Sequence, residues 1–223
     1  MRYLHFGARL PLIFVAVFLS AQTTLYGQKL SIGIAGGAAL TDLMGQVSGS
    51  SDAKRYTFGP ILEIRLPASF AAEISALYRR TGFTGKTVVM LAPATYRVRA
   101  NSWEFPLLVK YYLARPSVVA RPYISGGYAL RFLSNVQATF TTPEPFTSLP
   151  PYRSFNYEYR LQSNPSQGMA IGGGMSFKAG RIHIAPGARY TRWFTVPFDE
   201  YGPHAYTVQS ARNQVDLLVA VTF

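Results

Sequence analysis

From residue 29 onward, apolar side chains recur at every second position in stretch after stretch of the chain. Leu30, Ile32 and Ile34 alternate with Lys29, Ser31 and Gly33. Leu62, Ile64 and Leu66 oppose Glu63 and Arg65, and Phe70, Ala72, Ile74, Ala76 and Tyr78 oppose Glu73, Ser75 and Arg79. Trp103, Phe105, Leu107, Val109, Tyr111 and Leu113 oppose Glu104, Pro106, Lys110 and Tyr112. Ile124, Tyr128, Leu130 and Phe132 oppose Ser125, Gly127 and Arg131. Met169, Ile171, Met175 and Phe177 face away from Gly168, Gly172, Ser176 and Lys178, as do Ile182, Ile184, Ala188 and Tyr190 from His183, Gly187 and Arg189. The last stretch, "RNQVDLLVAVTF", carries Val215, Leu217, Val219, Val221 and Phe223 against Gln214, Asp216, Leu218, Ala220 and Thr222. A period of two with Val, Ile, Tyr and Phe on one face predicts eight β-strands. Several approach the 9–11 residues that a tilted strand needs to cross a bilayer.

The connections sort by length. Short ones are expected near Pro67 and Ala68, across residues 115–120, and at Ala179 and Gly180; long ones span 41–55, 81–98, 136–167 and 195–211. Strict alternation of short and long puts every short turn at one end, the arrangement of bacterial outer-membrane barrels. The reading is an all-β, eight-stranded, antiparallel, up-and-down transmembrane barrel, in which the last strand closes on the first. An open edge in lipid would leave backbone groups unpaired. Tyr78, Trp103, Tyr111 and Tyr190 lie near strand ends, as an aromatic girdle would. Phe223 at the end of the last strand resembles the C-terminal signal read by outer-membrane assembly machinery.

The second face mixes charge with small residues and a few leucines (Leu77, Leu108, Leu218), which suits a narrow packed lumen better than a water-filled pore. Buried charges need partners. Glu63, Arg65, Glu73, Arg79, Glu104, Lys110, Arg131, Arg189 and Asp216 share this face, so an ion-pair network is expected, with Glu104 meeting an arginine and Lys110 a carboxylate. Its structural role is to fill the barrel; the competing role is a gate or ligand site. Pro106 inside a strand predicts a bulge or an unpaired position, with a local kink.

Residues 1–21 read as a secretory signal peptide, with cleavage as late as residue 27: Arg2 and Arg9, then an apolar run from Leu10 to Leu19, then small and polar residues. That run is too short to span a bilayer as a helix. The barrel domain then covers 28–223. The chain has 15 Tyr and 15 Phe, only 14% charged residues and no cysteine, which removes disulfides, thiolate metal sites and a cysteine-linked lipid anchor. A net charge of +12 would suit a nucleic-acid binder, but the basic residues are dispersed, so no nucleic-acid partner is expected.

Catalytic signals are weak. Gly85-Lys86-Thr87 lacks a phosphate-loop glycine five residues earlier, where Arg80 stands. His5, His183 and His204 have no metal-ligand spacing. Some small outer-membrane barrels modify lipids with a neighbouring His and Ser, but His183 has Ala185 two residues on. Asp199, Glu200 and His204 form a charged loop cluster without a complete triad. No enzyme, cofactor or metal is expected.

The segments "SWEFPLLVKYYL", "RPYISGGYAL", "GMAIGGGMSFKAGRIHIAPGARYTRW" and "NQVDLLVAVTF" are similar to the outer-membrane β-barrel domain family that includes PorT-like proteins, above all through Glu104, Pro106, Leu107, Leu108 and Lys110. The resemblance implies an eight-stranded barrel whose members mostly have no assigned activity. The combined reading is an outer-membrane protein with a structural, adhesion or surface-interaction role. Its partners are outer-membrane lipid, lipopolysaccharide met by rim cations such as Lys54, Arg55, Arg80 and Lys86, the barrel-assembly machinery, and an unidentified extracellular partner; the Pro- and aromatic-rich third long loop is either a binding segment or a disordered one. The alternatives are a soluble lipocalin-like barrel, whose apolar face would point inward, and a lipid-modifying enzyme.

Overall fold

The computed structural model describes residues 30–41, 49–51, 54–89, 92–114, 119–143, 152–157, 161–197 and 210–223. They form strands β1 (Leu30–Ala39), β2 (Gly49–Ser51), β3 (Tyr56–Arg65), β4 (Phe70–Ser75), β5 (Leu77–Val89), β6 (Ala92–Tyr112), β7 (Ala120–Pro143), β8 (Tyr152–Tyr157), β9 (Ser166–Ala179), β10 (Ile182–Trp193) and β11 (Asn213–Thr222). Eight staves result, because β4 and β5 are two halves of one stave while β2 and β8 only flank the extended ends of β5 and β7. Each stave pairs antiparallel with its sequence neighbour. The ring closes where β1 meets β11, from Gly33 opposite Thr222 to Ala39 opposite Asp216. Closure removes both sheet edges, which lipid would not tolerate.

The third stave is split for a chemical reason. Continuing the registers of its two neighbours puts Ala76 opposite Pro60 and Ser75 opposite Pro106. Neither proline has an N–H to return, so each pair loses one ladder bond. What survives is the Ala76 N–H donating to the Pro60 carbonyl at 3.0 Å. The register between β6 and β7 runs unbroken through Pro106, paired with Ala129. Pro106 thus takes the unpaired-position solution on one side only. The β6–β7 irregularity lies elsewhere, between Arg99 and Asn101, where β7 carries one extra residue and Asn135 adopts a φ of 50°.

At one end the connections are short. Leu66 and Phe70 close a turn through a 2.9 Å hydrogen bond, and Gly180-Arg181 makes a two-residue hairpin with Gly180 at a φ of 63°. A positive φ at the first central position is the glycine site of a type II′ hairpin. At the other end the staves run on. β5 and β6 stay paired up to Val89 opposite Ala92, so most of the 81–98 stretch is paired strand, not loop. β7 continues to Pro143 with β8 alongside. The apolar phase inverts here: outward Tyr78, Trp103 and Phe132 give way to inward Phe83, Val98 and Leu133, which pack together with Ala138. Gly82 and Gly85 interrupt the apolar count in the same place, which is why alternation alone reads a loop.

The barrel is inside out relative to a soluble one. Leu107, Ile124, Ile171 and Val219 are outward and exposed, Ile171 at 61%, whereas Glu104, Lys110, Arg131 and Asp216 are buried, Asp216 at 0%. The lipocalin-like alternative requires the opposite polarity and is set aside by this arrangement. Aromatic rings line the belt's upper border, with centroids 5.7 Å apart for Phe58–Tyr78 and 5.1 Å for Tyr78–Trp103. Their polar tips find partners above: Tyr78 donates to Asn101 at 2.9 Å and Tyr190 to Asn213 at 2.8 Å. An apolar ring with a wet hydroxyl belongs at a membrane–water boundary. The lower border carries the Phe70–Tyr111 pair at 5.0 Å.

Candidate functional site

Strand parity sends even-numbered residues of β6 and β11 and odd-numbered residues of β3, β5, β7 and β10 into the lumen, as their burial records. Eight staves leave an interior just wide enough for side chains. All four acidic residues among the described residues, Glu63, Glu73, Glu104 and Asp216, lie there. Each meets cations from other staves, in two clusters at different heights.

The upper cluster is centred on Glu104 of β6. Arg79 pairs with Glu104; Arg131 Nη2 donates to Glu104 Oε1 at 3.1 Å, and Arg189 Nη2 stands 3.5 Å from Oε2. Asp216 shares two of these cations, with Arg189 Nη2 at 2.9 Å and Arg79 Nη1 at 3.6 Å. Gln214 sits between the two carboxylates. Its amide donates to Glu104 Oε2 at 3.0 Å and to Asp216 Oδ2 at 2.8 Å, while its Oε1 accepts from Trp193 Nε1 at 3.0 Å and from Arg131. The Trp193 ring supports the Arg131 guanidinium, whose Cζ lies 3.8 Å from the ring centroid. Three arginines face two carboxylates. The surplus donors are visible as Arg131 Nη1 and Arg189 Nε, buried with no hydrogen-bond partner among the described residues.

The lower cluster is centred on Lys110, six residues along β6 from Glu104 and nearer the short-turn end. Its ammonium bridges Glu63, at 2.9 Å, and Glu73. Tyr112 donates to Glu63 Oε1 at 2.9 Å, and Arg65 Nε lies 3.8 Å from the same oxygen. Arg65 also reaches across to His183, with Nη2 2.9 Å from Nε2. Between the clusters lie Ile61, Leu77, Ala35 and Ala220, with Leu218 and Ala185 packed on them. A cavity of about 40 Å³ opens beside this apolar layer, lined by Ser75, Ser125, Glu73, Lys110 and Arg189. Its size suits one or two waters bridging polar walls. Charge clusters, apolar layer and the Phe83 cap leave side chains at every height of the lumen.

All nine lumen residues singled out from the sequence face inward. Arg79, Glu104, Arg131, Arg189 and Asp216 meet in the upper cluster, and Glu63, Arg65, Glu73 and Lys110 in the lower. Gln214, Trp193 and Tyr112 are members that charge-based reading passed over; parity put Gln214 and Tyr112 on the right face, but nothing in the sequence marked them as connectors. Phe223 is exposed at 66% and its N–H donates to the Ile32 carbonyl at 2.9 Å. Among the described residues no group of three or more His, Cys, Asp or Glu side chains is placed to hold a metal. Residues 1–29, Asp199, Glu200, His204 and most of the third long loop lie outside the described residues.

A closed antiparallel barrel with an apolar exterior, aromatic borders and a charged, filled interior is an integral outer-membrane barrel. Residues 20–195 match the family model for the outer membrane protein beta-barrel domain, and the chain belongs to that family. Comparison with curated protein sequences finds no match. Solved structures similar to the chain include Neisserial surface protein A, at 13% identity over 88% of this chain and 97% of that one with a TM-score of 0.42. Others are outer membrane protein OprG from Pseudomonas aeruginosa (13%, 87% and 92%, TM-score 0.43) and the N-terminal β-barrel domain of OprF from the same organism (13%, 87% and 96%, TM-score 0.39).

Proposed function

We propose that this protein is a structural or adhesion-type surface component of a bacterial outer membrane, exported by a signal peptide and PorT-like in kind. The observation that carries this reading is the pair of ion-pair clusters that cross the lumen. Two ion-pair clusters and an apolar layer occupy the barrel, so solute passage is a poor use of this interior. What remains available for contact is the outer end, where β5, β6 and β7 extend beyond the aromatic border. The short turns face the periplasm and the extended hairpins face outward, in keeping with the loop asymmetry of such barrels. Lys54, Arg55 and Arg80 are exposed at the outer rim and suit lipopolysaccharide phosphates by charge. The barrel-assembly machinery is the partner for insertion. The ion-pair network acts as a structural plug rather than a gate.

The test is membrane fractionation of the native host, then electrophoresis with and without boiling, and protease accessibility on intact cells. An outer-membrane band whose mobility shifts on boiling, cleaved from outside between Val89 and Ala92, supports the reading. A soluble periplasmic band without a shift overturns it.

A further inference from the structure

The mouth at the short-turn end holds more positive than negative charge. Glu63 and Glu73 are both engaged by Lys110, and Glu63 also by Tyr112. Among the described residues Arg65 therefore reaches only a carboxylate that is already taken, at 3.8 Å, and its Nε is buried with no hydrogen-bond partner there. Arg121 has less. It is 8% exposed, its Nε donates to the Ala114 carbonyl at 3.2 Å, and its guanidinium stacks on Tyr112 with Cζ 4.2 Å from the ring centroid. Among the described residues it forms no ion pair. The carboxylate whose charge reaches it, Glu63, is already held by Lys110 and Tyr112.

The opposite wall supplies a further donor. Arginine has only donors, so His183 Nε2 must accept from Arg65, which leaves the imidazole neutral with its hydrogen on Nδ1. Arg65, Glu63, Lys178 and Arg121 all lie near enough to act electrostatically on His183. Three cations and the imidazole thus cluster at this end of the barrel around the already engaged carboxylate of Glu63.

We propose that this mouth is an oxyanion site in which Arg121, Arg65 and His183 take a phosphate group. Planar guanidinium forks match the oxygens of phosphate in a way that a point charge does not. An ion pair of its own, which Arg121 has with no described residue, is what the ligand contributes. Soluble phosphate can enter along the barrel axis. A phospholipid headgroup can enter over the rim, where Lys178 and Arg181 are exposed.

The experiment uses the full chain folded in an uncharged detergent, with labelled histidine followed by NMR while inorganic phosphate is added. Sodium chloride of equal ionic strength is the control. A saturable phosphate-specific shift of the His183 ring, with affinity at least about tenfold weaker in Arg121→Gln, is expected; tenfold corresponds to about 1.4 kcal/mol. Arg65→Gln, at a more open position, serves if Arg121→Gln loses its heat-modifiable mobility. A second arm places the protein in phosphatidylcholine nanodiscs with or without phosphatidylglycerol and no free phosphate. A His183 shift seen only with the anionic lipid and lost in the variant assigns the headgroup as the source. No saturable shift in either arm, an equal shift with chloride, or a shift unchanged in both variants overturns the site. None of these readouts depends on where the barrel resides in the cell.

Discussion

Gln214 on β11 donates its side-chain amide to both carboxylate oxygens of Glu104 on β6, at 3.2 and 3.0 Å, from 110 residues away in sequence. The two strands are not neighbours, so this contact crosses the lumen. It also separates Glu104 from Asp216, whose oxygens the same amide meets at 3.1 and 2.8 Å. An uncharged residue holds two carboxylates in one low-dielectric space and hands its own oxygen to Trp193 and Arg131. Replacing Gln214 by Leu keeps the volume and removes both functions. We expect a loss of about 1–3 kcal/mol, the usual effect of leaving buried polar groups unsatisfied. It is read as a lower urea midpoint of the heat-modifiable band; an unchanged midpoint would refute the bridging role.

Glu104 is the counter-charge for three arginines. Glu104→Gln keeps the shape and leaves Arg79, Arg131 and Arg189 with one carboxylate among them. Breaking a buried pair from one side costs about 3–5 kcal/mol. The double change Glu104→Gln with Arg131→Met should cost less than the sum of the two single changes, because the residues touch. Strict additivity in urea unfolding would mean that the network is not coupled.

The outer belt offers a different kind of test. Leu107 is outward and 57% exposed at mid-belt, and Leu113 is outward and 60% exposed near the short-turn end. In water either position would accept arginine with little effect. In a bilayer, arginine at the midplane costs about 2–4 kcal/mol and near the interface about 0–1. Folding into liposomes should separate Leu107→Arg from Leu113→Arg by that margin, and equal behaviour would place the belt in water.

Gly127 on β7 pairs with Leu108 on β6. A Cβ built there would stand 2.0 Å from the Leu107 carbonyl oxygen and 2.9 Å from the Leu108 Cα, both backbone. No side-chain rotation relieves that contact. Gly127→Val should prevent closure, giving a band with no boiling shift and exposure of the β6–β7 seam to protease. A native-like band would show that the strands can separate without loss of the barrel.

The filled lumen predicts electrical silence. In planar bilayers the wild-type protein should produce no stepwise conductance across the voltage range in which open barrels conduct. Steady channel openings would turn the ion-pair clusters from a plug into a gate.

Much of this molecule could be read from alternation alone. A side-chain period of two is intrinsic to an extended strand, so Leu107 and Val109 on one face and Glu104 and Lys110 on the other needed no knowledge of neighbours. The number of staves, their antiparallel order and the inward placement of all nine charged lumen residues follow from that local geometry. It fails in the 81–98 stretch because polarity, not geometry, changes there: above Tyr78 and Trp103 water replaces lipid outside, so Phe83 and Val98 turn inward.

What alternation cannot supply is height and partner. Arg131 meets Glu104, and Lys110 meets Glu63, because staves distant in sequence are sheared past one another when the sheet closes. That shear depends on the whole ring of registers, including the lost bonds opposite Pro60 and Pro106. Gln214 as connector, Trp193 as support for Arg131, and Arg121 with no ion pair among the described residues are consequences of closure. The sequence by itself determined which residues face lipid and which face the lumen, because strand geometry is local. Only the tertiary structure decided which lumen residues touch, because that depends on the stagger of all eight staves.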